Sequence, residues 1–354
     1  MRIGVIGAGA ISPVYLRYLT GRTEVSVVAI ADLNLERARA RAREFSLSAA
    51  LSPDALLAQP DIDLILNLTV PAAHASVSEA ALRAGKHVYS EKPLGVSAAE
   101  GARLVSCAAE VRRHLACAPD TVLGSGVQTA IQTLDGGVVG RPVGATLAFL
   151  NHGHEHWHPD PAFYYLPGGG PVLDMGPYYV TALVALLGPV KRVVSVASQT
   201  FARRTVTSSP RAGDVISVRV PTHVAGILEM AVGVTVQVTM SFDVWCHTLP
   251  HLELYGTEGT LEVPDPNTFG GPVRACRAGE DIWRELPLRP DLPHDQARGI
   301  GVIEMVRAIR ENRRGRLDAV VGAHVLEVLA ALERGGDTVI TSTVVRPLPM
   351  GTNP

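Results

Sequence analysis

The sequence has little of several features that would mark other protein classes. Only four cysteines occur in 354 residues and none shows CxxC spacing, so no disulfide scaffold is predicted and a reducing cytoplasm fits best. Acidic and basic residues nearly balance, 34 against 32, which argues against a nucleic-acid partner. No signal peptide is predicted, and no apolar run approaches the length needed to span a bilayer.

The order of apolar segments predicts two domains and an α/β fold. The first third alternates short strands with helices, beginning with 2–6, which is typical of a doubly wound parallel sheet. After about residue 120 many strands follow with few crossover helices, and Gly256-Thr257-Glu258-Gly259 predicts a hairpin. We therefore predict a parallel domain in 1–120 and an α+β domain with an open, largely antiparallel sheet in 121–354.

A glycine turn follows the first strand directly and opens a helix. Gly7-Ala8-Gly9-Ala10-Ile11-Ser12 has the strand and helix context of a dinucleotide fingerprint, which predicts cofactor contacts from Gly7, Gly9, Ala10 and Ile11. Asp32 ends the second strand about 20 residues further on, where a carboxylate accepts hydrogen bonds from ribose hydroxyls. Because that carboxylate repels a 2′-phosphate, NAD is favoured over NADP. The alternative is an ordinary turn with a surface aspartate.

A lysine follows a later strand in the segment GKHVYSEKPLG. Glu91 and Lys92 come just after the strand 87–90. We expect this strand to neighbour the first one, where the strand order reverses and ligands bind. Lys92 would then lie near the nicotinamide and mediate removal of a hydroxyl proton during hydride transfer. The alternative is a surface lysine on a loop.

Five segments together resemble one family. They are GAGAIS (7–12), NLTVPAAH (67–74), SEKPLG (90–95), GGGPVLDMGPYY (168–179) and LYGTEGTL (254–261). The chain resembles, nearly end to end, the family of glucose-fructose oxidoreductase, inositol dehydrogenase and the rhizopine-catabolism protein MocA. The resemblance implies a Rossmann domain followed by an open sheet, with the substrate on one face and oligomer contacts, in a homodimer or homotetramer, often on the other. It also implies that Thr69, Pro71 and His74 line the cofactor, with Glu91 beside the nicotinamide ribose and Lys92 catalytic.

Asp174 and Tyr178 lie four residues apart in a segment that leads into an apolar helix. This spacing places both side chains on one helical face. The family that the chain resembles commonly has an aspartate and a histidine here, with the histidine as acid/base. Tyrosine replaces that histidine, so we predict Tyr178 as the proton relay, Lys92 as its electrostatic partner and hydroxyl ligand, and Asp174 as an acceptor for a sugar hydroxyl. Alternatively Tyr178 only packs, because Tyr179 is adjacent.

The segment NHGHEHWHPDP, 151–161, has a histidine at every second position. On an extended strand these side chains would share a face and could converge on a metal. Gly153, Pro159 and Pro161 interrupt such a strand, and no metal ligand is predicted. Trp157 could cover the apolar side of a sugar ring while His154 and His158 bind its hydroxyls. Structural histidines and a metal site stay open as alternatives.

These features predict an NAD-dependent dehydrogenase that acts on CH-OH groups. It would move a hydride between nicotinamide and a ring hydroxyl of a sugar, sugar derivative or cyclitol, with donor and acceptor meeting between the two domains. The alternatives are a non-catalytic NAD-binding regulator, a redox-neutral sugar-modifying enzyme that retains NAD, and a metal-dependent hydrolase using the histidine row. The expected partners are the small polyol and copies of the chain, with no nucleic acid and no membrane.

Overall fold

The computed structural model describes residues 1–352. Its strands, in chain order, are β1 Arg2–Ile6, β2 Ser26–Ala31, β3 Ala49–Leu51, β4 Leu64–Asn67, β5 His87–Ser90, β6 Leu115–Cys117, β7 Pro142–Leu150, β8 Val190–Ser198, β9 Arg203–Thr205, β10 Val215–Ser217, β11 His223–Met230, β12 Thr235–Ser241, β13 Leu252–Gly256, β14 Gly259–Val263, β15 Val273–Arg277, β16 Arg284–Leu286 and β17 Gly336–Val339.

The α-helices are α1 Ser12–Leu19, α2 Leu35–Glu44, α3 Pro53–Leu57, α4 Pro71–Arg83, α5 Ala98–Glu110, α6 Ser125–Asp135, α7 Gly170–Leu187, α8 Ile300–Arg310 and α9 Ala319–Arg334. Short 3-10 helices occupy Asp120–Leu123 and Ala162–Tyr165. Several helices begin where a polar side chain caps them. The Asn34, Ser52 and Ser97 side chains accept hydrogen bonds from first-turn amides of α2, α3 and α5, which satisfies donors that the helix itself leaves unpaired.

The chain forms two compact units. Unit 1 contains 1–123 and 296–323, and unit 2 contains 124–295 and 324–352. The structure therefore differs from the predicted division at residue 120, because 296–323 returns to the first unit. The backbone amide of Cys117 donates to Leu317 O at 2.9 Å, and Val302 of α8 is fully buried in the core of unit 1. These contacts are between residues far apart in sequence, so local patterns could not reveal them.

Unit 1 is built on a six-stranded parallel sheet with the order β3-β2-β1-β4-β5-β6. The predicted doubly wound parallel sheet is confirmed. The prediction that the strand 87–90 neighbours the first strand was wrong, because β4 lies between β1 and β5. The order reverses at β1 and β4, which is the place where ligands bind in such sheets.

Unit 2 contains a nine-stranded sheet with the order β16-β15-β14-β13-β7-β12-β11-β8-β17. Its neighbouring strands are antiparallel except for β7 and β12, so the predicted largely antiparallel sheet is confirmed. The predicted hairpin also forms, with Gly256 paired to Gly259. A separate two-stranded ribbon consists of β9 and β10.

Helix α7 of unit 2 contains Asp174 and Tyr178 of the candidate site. By length and apolar composition this helix would be able to cross a membrane, so the expectation that no apolar run is long enough was wrong. However, 89% of its 18 residues are buried inside the protein. The core helix of a globular domain has the same composition. We therefore interpret α7 as a core helix.

Candidate functional site

The turn after β1 requires glycine at its first position. Gly7 has φ of +108°, and a Cβ there would lie 2.4 Å from the carbonyl oxygen of Leu68. The Gly7 amide donates to Ala31 O at 2.8 Å, which joins the turn to the end of β2. A Cβ on Gly9 would meet nothing within 4 Å, so the space in front of this residue is open.

The start of α1 fits an anionic group. The buried Ser12 hydroxyl donates to Gly9 O at 2.8 Å, so a small residue serves at the third glycine position. No side chain caps the first turn at Ile11, and Ala10 is exposed beside it. The amides of Ser12 and Val14 already donate to Gly9 O and Ile11 O, so it is the positive end of the helix dipole that is suited to a phosphate. This part of the chain therefore fits the pyrophosphate of a dinucleotide.

Asp32 is the first residue after β2 and is half-buried. Its Oδ2 accepts a hydrogen bond from the amide of Ala8, and its Oδ1 accepts one from the amide of Asn34, both at 2.8 Å. The two amides fix the carboxylate next to the glycine turn. An acceptor held there has the chemistry that a ribose diol requires.

The loop after β4 is organised by Asn67, a fully buried residue that the sequence analysis did not single out. Its Oδ1 accepts from the hydroxyl of Thr69 at 2.7 Å, and its Nδ2 donates to Ser78 Oγ and His74 O at 3.0 Å. Thr69 is half-buried, and Pro71 is the first residue of α4. A buried side-chain amide that satisfies several loop groups fixes the backbone at this end of the sheet.

His74 is buried between two loops and is not accessible to solvent. Its side chain is fully buried, and its ring nitrogens lie 2.6 Å from Pro93 O and 3.0 Å from Thr69 O. Burial lowers the pKa of His74, while the two carbonyl oxygens oppose that shift. The imidazole connects the loops that carry Thr69 and Pro93, and both of its nitrogens are already in contact with protein oxygens.

Glu91 and Lys92 follow β5. The buried Glu91 carboxylate accepts from the Tyr15 hydroxyl at 2.7 Å and from the Lys92 amide at 2.9 Å. Burial, together with the charge of Glu91, raises the pKa of Tyr15 well above its usual range, so its phenol remains a neutral donor. Lys92 itself is half-buried. Tyr15 was missed in the sequence because its partner is 76 residues away.

In unit 2, Asp174 and Tyr178 lie one turn apart on α7, as the spacing predicts. The side chain of Asp174 is 17% exposed, and Tyr178 is buried. The adjacent Tyr179 is fully buried, and its hydroxyl donates to Asp265 Oδ1 at 3.0 Å. Its hydroxyl is also 3.1 Å from His251 Nδ1. Tyr179 therefore has a structural position, whereas the role of Tyr178 remains a prediction.

The histidine row does not form a strand. Strand β7 ends at Leu150, and residues 151–161 form turns in which His154 O accepts from the amides of Trp157 and His158. Alternate histidines therefore do not share one face: His154 is buried, whereas His156 is exposed. Within 1–352, no three His, Cys, Asp or Glu side chains are close enough to hold a metal ion.

Three side chains of the predicted substrate set form a series of contacts that begins at Asp174: His154 contacts Asp174, Trp157 contacts His154, and His158 contacts Trp157. His154 Nε2 lies 3.1 Å from Asp174 Oδ2, and the ring of Trp157, which is 55% exposed, makes an edge contact with the ring of His154. His158 Nδ1 accepts from the Asp160 amide at 3.0 Å. Burial lowers the pKa of His158, so its ring favours the neutral form, in which Nε2 carries the proton. His158 can therefore donate one hydrogen bond to a hydroxyl.

A buried ionic network lies beneath the turns of 151–161. The guanidinium of Arg204 pairs with the carboxylates of Glu155 and Asp243 and also donates to His152 O at 3.1 Å. Tyr165 donates to Glu155 as well. No sequence motif indicated this network, since its members lie about 40 to 50 residues apart.

Two family models match the chain. One, described as an oxidoreductase family with an NAD-binding Rossmann fold, matches residues 1–118, and the other, a GFO/IDH/MocA C-terminal domain, matches residues 127–262. The chain belongs to the GFO/IDH/MocA oxidoreductase family. The family and the Rossmann fold predicted from the sequence are confirmed.

Two relatives of this GFO/IDH/MocA protein carry sugar or cyclitol names. It is 34% identical over 198 residues to a dTDP-3,4-didehydro-2,6-dideoxy-alpha-D-glucose 3-reductase of Streptomyces violaceoruber, covering 54% of this chain and 56% of the relative. It is 35% identical over 148 residues to an inositol 2-dehydrogenase of Pseudomonas savastanoi pv. phaseolicola (strain 1448A / Race 6), covering 40% and 44%. The chain thus spans about half the length of these relatives. Their names agree with the oxidoreductase class predicted above.

A crystal structure of an NAD binding oxidoreductase from Klebsiella pneumoniae has the same fold. It superposes with a TM-score of 0.84 at 21% sequence identity, covering 96% of this chain and 99% of that one. At this identity the similarity concerns the fold alone.

Proposed function

We propose that the protein is an NAD-dependent oxidoreductase that transfers a hydride between nicotinamide and a ring hydroxyl of a sugar, sugar derivative or cyclitol. Its cofactor contacts would be Gly7, Gly9, Ala10, Ile11 and Asp32, with Thr69, Pro71, Glu91 and Lys92 nearer the nicotinamide, and His74 would act through the loops it connects. The Asp32 carboxylate, which accepts from the amides of Ala8 and Asn34, supports NAD over NADP because it would repel a 2′-phosphate bound beside it.

The observation that best supports this proposal is the hydrogen bond from the Lys92 amide to the Glu91 carboxylate. A buried carboxylate that accepts from both Tyr15 and the Lys92 amide fixes the backbone from which the lysine projects. This backbone lies at the carboxyl end of β5, beside the strand that takes part in the reversal of order. A protein that only binds NAD has no need of an ammonium group there, which counts against the regulator.

Each residue in the proposed reaction has a distinct task. When bound, nicotinamide accepts or donates the hydride. Lys92 binds the reacting hydroxyl and stabilises the negative charge that develops on its oxygen as the proton leaves. Tyr178 relays that proton, and Asp174 accepts a hydrogen bond from another hydroxyl of the ring. Trp157 and His158 complete the polyol contacts.

Two substrate classes are suggested by the relatives. The inositol dehydrogenase name points to a free cyclitol, and the dTDP-sugar reductase name points to a sugar linked to a nucleotide. The exposed face of Trp157 and the donor on His158 suit the sugar or cyclitol ring that both classes share. We therefore propose the ring hydroxyl as the common feature of the substrate.

The test follows absorbance of reduced nicotinamide across inositols, aldoses, glycosides and nucleotide-linked sugars, with NAD and NADP side by side. Turnover with NAD on at least one polyol is expected. Binding of NADH with no turnover on any polyol would instead indicate a regulator. Cofactor that copurifies and does not exchange would indicate the redox-neutral cycle, and chelator-sensitive activity that is indifferent to NAD would indicate the hydrolase.

We also propose a cytoplasmic homodimer or homotetramer, with neither nucleic acid nor membrane as a partner. All four cysteines are free, as a reducing compartment would allow. One face of the unit 2 sheet exposes Val194, Val196, Ile227 and Val339 beside the Arg192–Asp337 ion pair, and burial of these four apolar side chains against a second copy would remove them from water. Light scattering during gel filtration would measure the oligomer, and a monomer would contradict this part of the proposal.

A further inference from the structure

The contact between His154 and Asp174 joins two separate segments of unit 2. Asp174 is the fifth residue of α7, and His154 comes from the turns after β7. His154 Nε2 lies 3.1 Å from Asp174 Oδ2, and the two side chains are only 6% and 17% exposed. The pair is therefore largely shielded from water, where a hydrogen bond to a carboxylate orients both partners.

The surroundings of the His154 ring favour one tautomer. Its Nδ1 is buried and has no hydrogen-bond partner among residues 1–352, whereas its Nε2 faces a carboxylate oxygen that only accepts when ionised. A proton on Nδ1 would leave a buried N–H without an acceptor, which is unfavourable. The proton therefore lies on Nε2, and His154 donates it to Asp174.

The ring of His154 is held in place by aromatic neighbours. Its centroid lies 4.1 Å from that of Tyr164 and 4.6 Å from that of Phe242. The His154 amide donates to the Tyr165 hydroxyl at 3.1 Å. Neither the ring nor its backbone can turn without breaking these contacts, so Nε2 is fixed toward Asp174.

The buried ionic network fixes the segment that carries His154. Tyr165, which receives the His154 amide, donates in turn to Glu155, and Glu155 pairs with Arg204. The side chain of Arg204 is 4% exposed, so this pairing takes place away from solvent. A network of this kind holds a catalytic group in one geometry before substrate arrives.

We propose that His154 is a positioning residue for Asp174, not a direct ligand of the substrate. It donates from Nε2 and fixes the orientation of the Asp174 carboxylate as an acceptor for a polyol hydroxyl. This assignment rests on the proposed function, since it gives the task of binding the substrate to Asp174. It differs from the sequence interpretation, in which His154 itself contacts the sugar.

The test compares His154→Gln with His154→Asn in the full chain. The glutamine amide can reach the position of Nε2 and donate to Asp174, whereas the asparagine amide reaches only the position of Nδ1. We expect His154→Gln to keep kcat/KM for the polyol within about threefold of the wild type and His154→Asn to lose tenfold or more. Equal losses in both variants would overturn the positioning role, because the imidazole itself would then be needed. No loss in His154→Asn would overturn it as well.

A double-mutant cycle with Asp174→Asn adds a second readout. If His154 acts through Asp174, His154→Asn should cause little further loss in the Asp174→Asn background. Losses that multiply would show two independent roles and would overturn the inference. The NADH dissociation constant, measured by fluorescence, and the thermal midpoint of each variant show whether binding of the cofactor and folding are intact.

A third measurement does not depend on turnover. Selective 15N labelling of histidine distinguishes a protonated from a bare ring nitrogen, and the His154 signals are identified by their loss in His154→Gln. We expect a protonated Nε2 and a bare Nδ1 in the protein without substrate. The opposite tautomer would overturn the inference even if the enzyme is active. Absence of turnover in the wild type would instead contradict the proposed function and leave this measurement to decide the tautomer.

Discussion

Asp32 Oδ2 accepts a hydrogen bond from the amide of Ala8 at 2.8 Å, so the acidic residue after β2 is joined to the glycine turn after β1. The second oxygen of the same carboxylate accepts from Asn34. A negative charge is therefore fixed beside the turn that would hold the cofactor phosphates. This charge is suited to a ribose diol and unsuited to a 2′-phosphate.

We expect Asp32→Asn to reduce the proposed preference for NADH over NADPH by about tenfold or more, because the variant removes the charge proposed to repel the 2′-phosphate. The measurement is the ratio of the two dissociation constants from fluorescence titrations. Asp54→Asn, an exposed aspartate in the first turn of α3, is the control and should leave the ratio unchanged. An unchanged ratio in Asp32→Asn would remove Asp32 from the cofactor site.

The role of Lys92 is tested by Lys92→Met. We expect NADH binding to be retained and turnover to fall by about a hundredfold or more, since the variant removes the cation proposed to bind the reacting hydroxyl. The matched control is Lys191→Met, which removes an exposed lysine paired with Glu229 at 3.2 Å. Turnover of Lys92→Met within threefold of the wild type would contradict the assignment.

The adjacent tyrosines of α7 should respond in opposite ways. Tyr178→Phe should lose turnover, because it removes the proposed proton relay. Tyr179→Phe should keep turnover and lose about 1–2 kcal/mol of stability, because it removes the hydroxyl that contacts His251 and Asp265 in the interior. Steady-state rates and urea unfolding measure the two effects. The reverse pattern would assign the relay to Tyr179.

Local sequence patterns predicted the cofactor turn and the helical face of Asp174 and Tyr178. Both depend on spacing within a few residues, which fixes a tight turn at Gly7 and one side of a helix at α7. The strand β3 was missed because three residues, Ala49–Leu51, are too few to show a period. Without β3, the strand before Lys92 counts as the fourth strand instead of the fifth. The fourth strand of such a sheet neighbours β1, so this strand was placed one position too close to β1.

The remaining differences come from contacts that are distant in sequence. The alternation of histidines predicted that their side chains share one face of a strand, but the chain forms turns at 151–161. The buried ion pair of Arg204 with Glu155, which stabilises these turns, is visible only in the folded structure. That His74 lines the cofactor stays a prediction, and its two carbonyl contacts, to Thr69 and Pro93, are visible only in the folded unit. The pairing of His154 with Asp174 likewise joins residues 20 apart in sequence.

Glu333 should make stability depend on pH. Burial raises the pKa of Glu333 to about 7, and its Oε1 has no hydrogen-bond partner within 1–352. The folded protein therefore holds this proton more tightly than the unfolded chain, whose glutamate titrates at about 4.3. The contribution of Glu333 to the free energy of unfolding is therefore fully present below about pH 4.3 and is lost as the pH rises to about 7.

Glu333→Gln removes this titration. We expect the variant to be more stable than the wild type at pH 8 and to lose less stability between pH 5 and pH 8, as measured by urea unfolding across that range. Glu229→Gln, at a half-buried position whose side chain pairs with Lys191, is the control. A wild type and a Glu333→Gln variant with parallel stability curves would show that Glu333 does not titrate in this window.

Two arginines of unit 2 allow a buried ion-pair network to be compared with an exposed ion pair. Arg204 pairs with Glu155 and Asp243 where all three side chains are at most 11% exposed, whereas Arg192 pairs with Asp337 where both are about half exposed. Arg204→Met would leave two buried carboxylates without a cation and should cost about 3–5 kcal/mol, because their desolvation is no longer offset. Arg192→Met should cost about 0–1 kcal/mol, because water screens an exposed pair. Urea unfolding of both variants gives the comparison, and similar losses in the two would show that the network beneath His154 is not what holds the turns of 151–161.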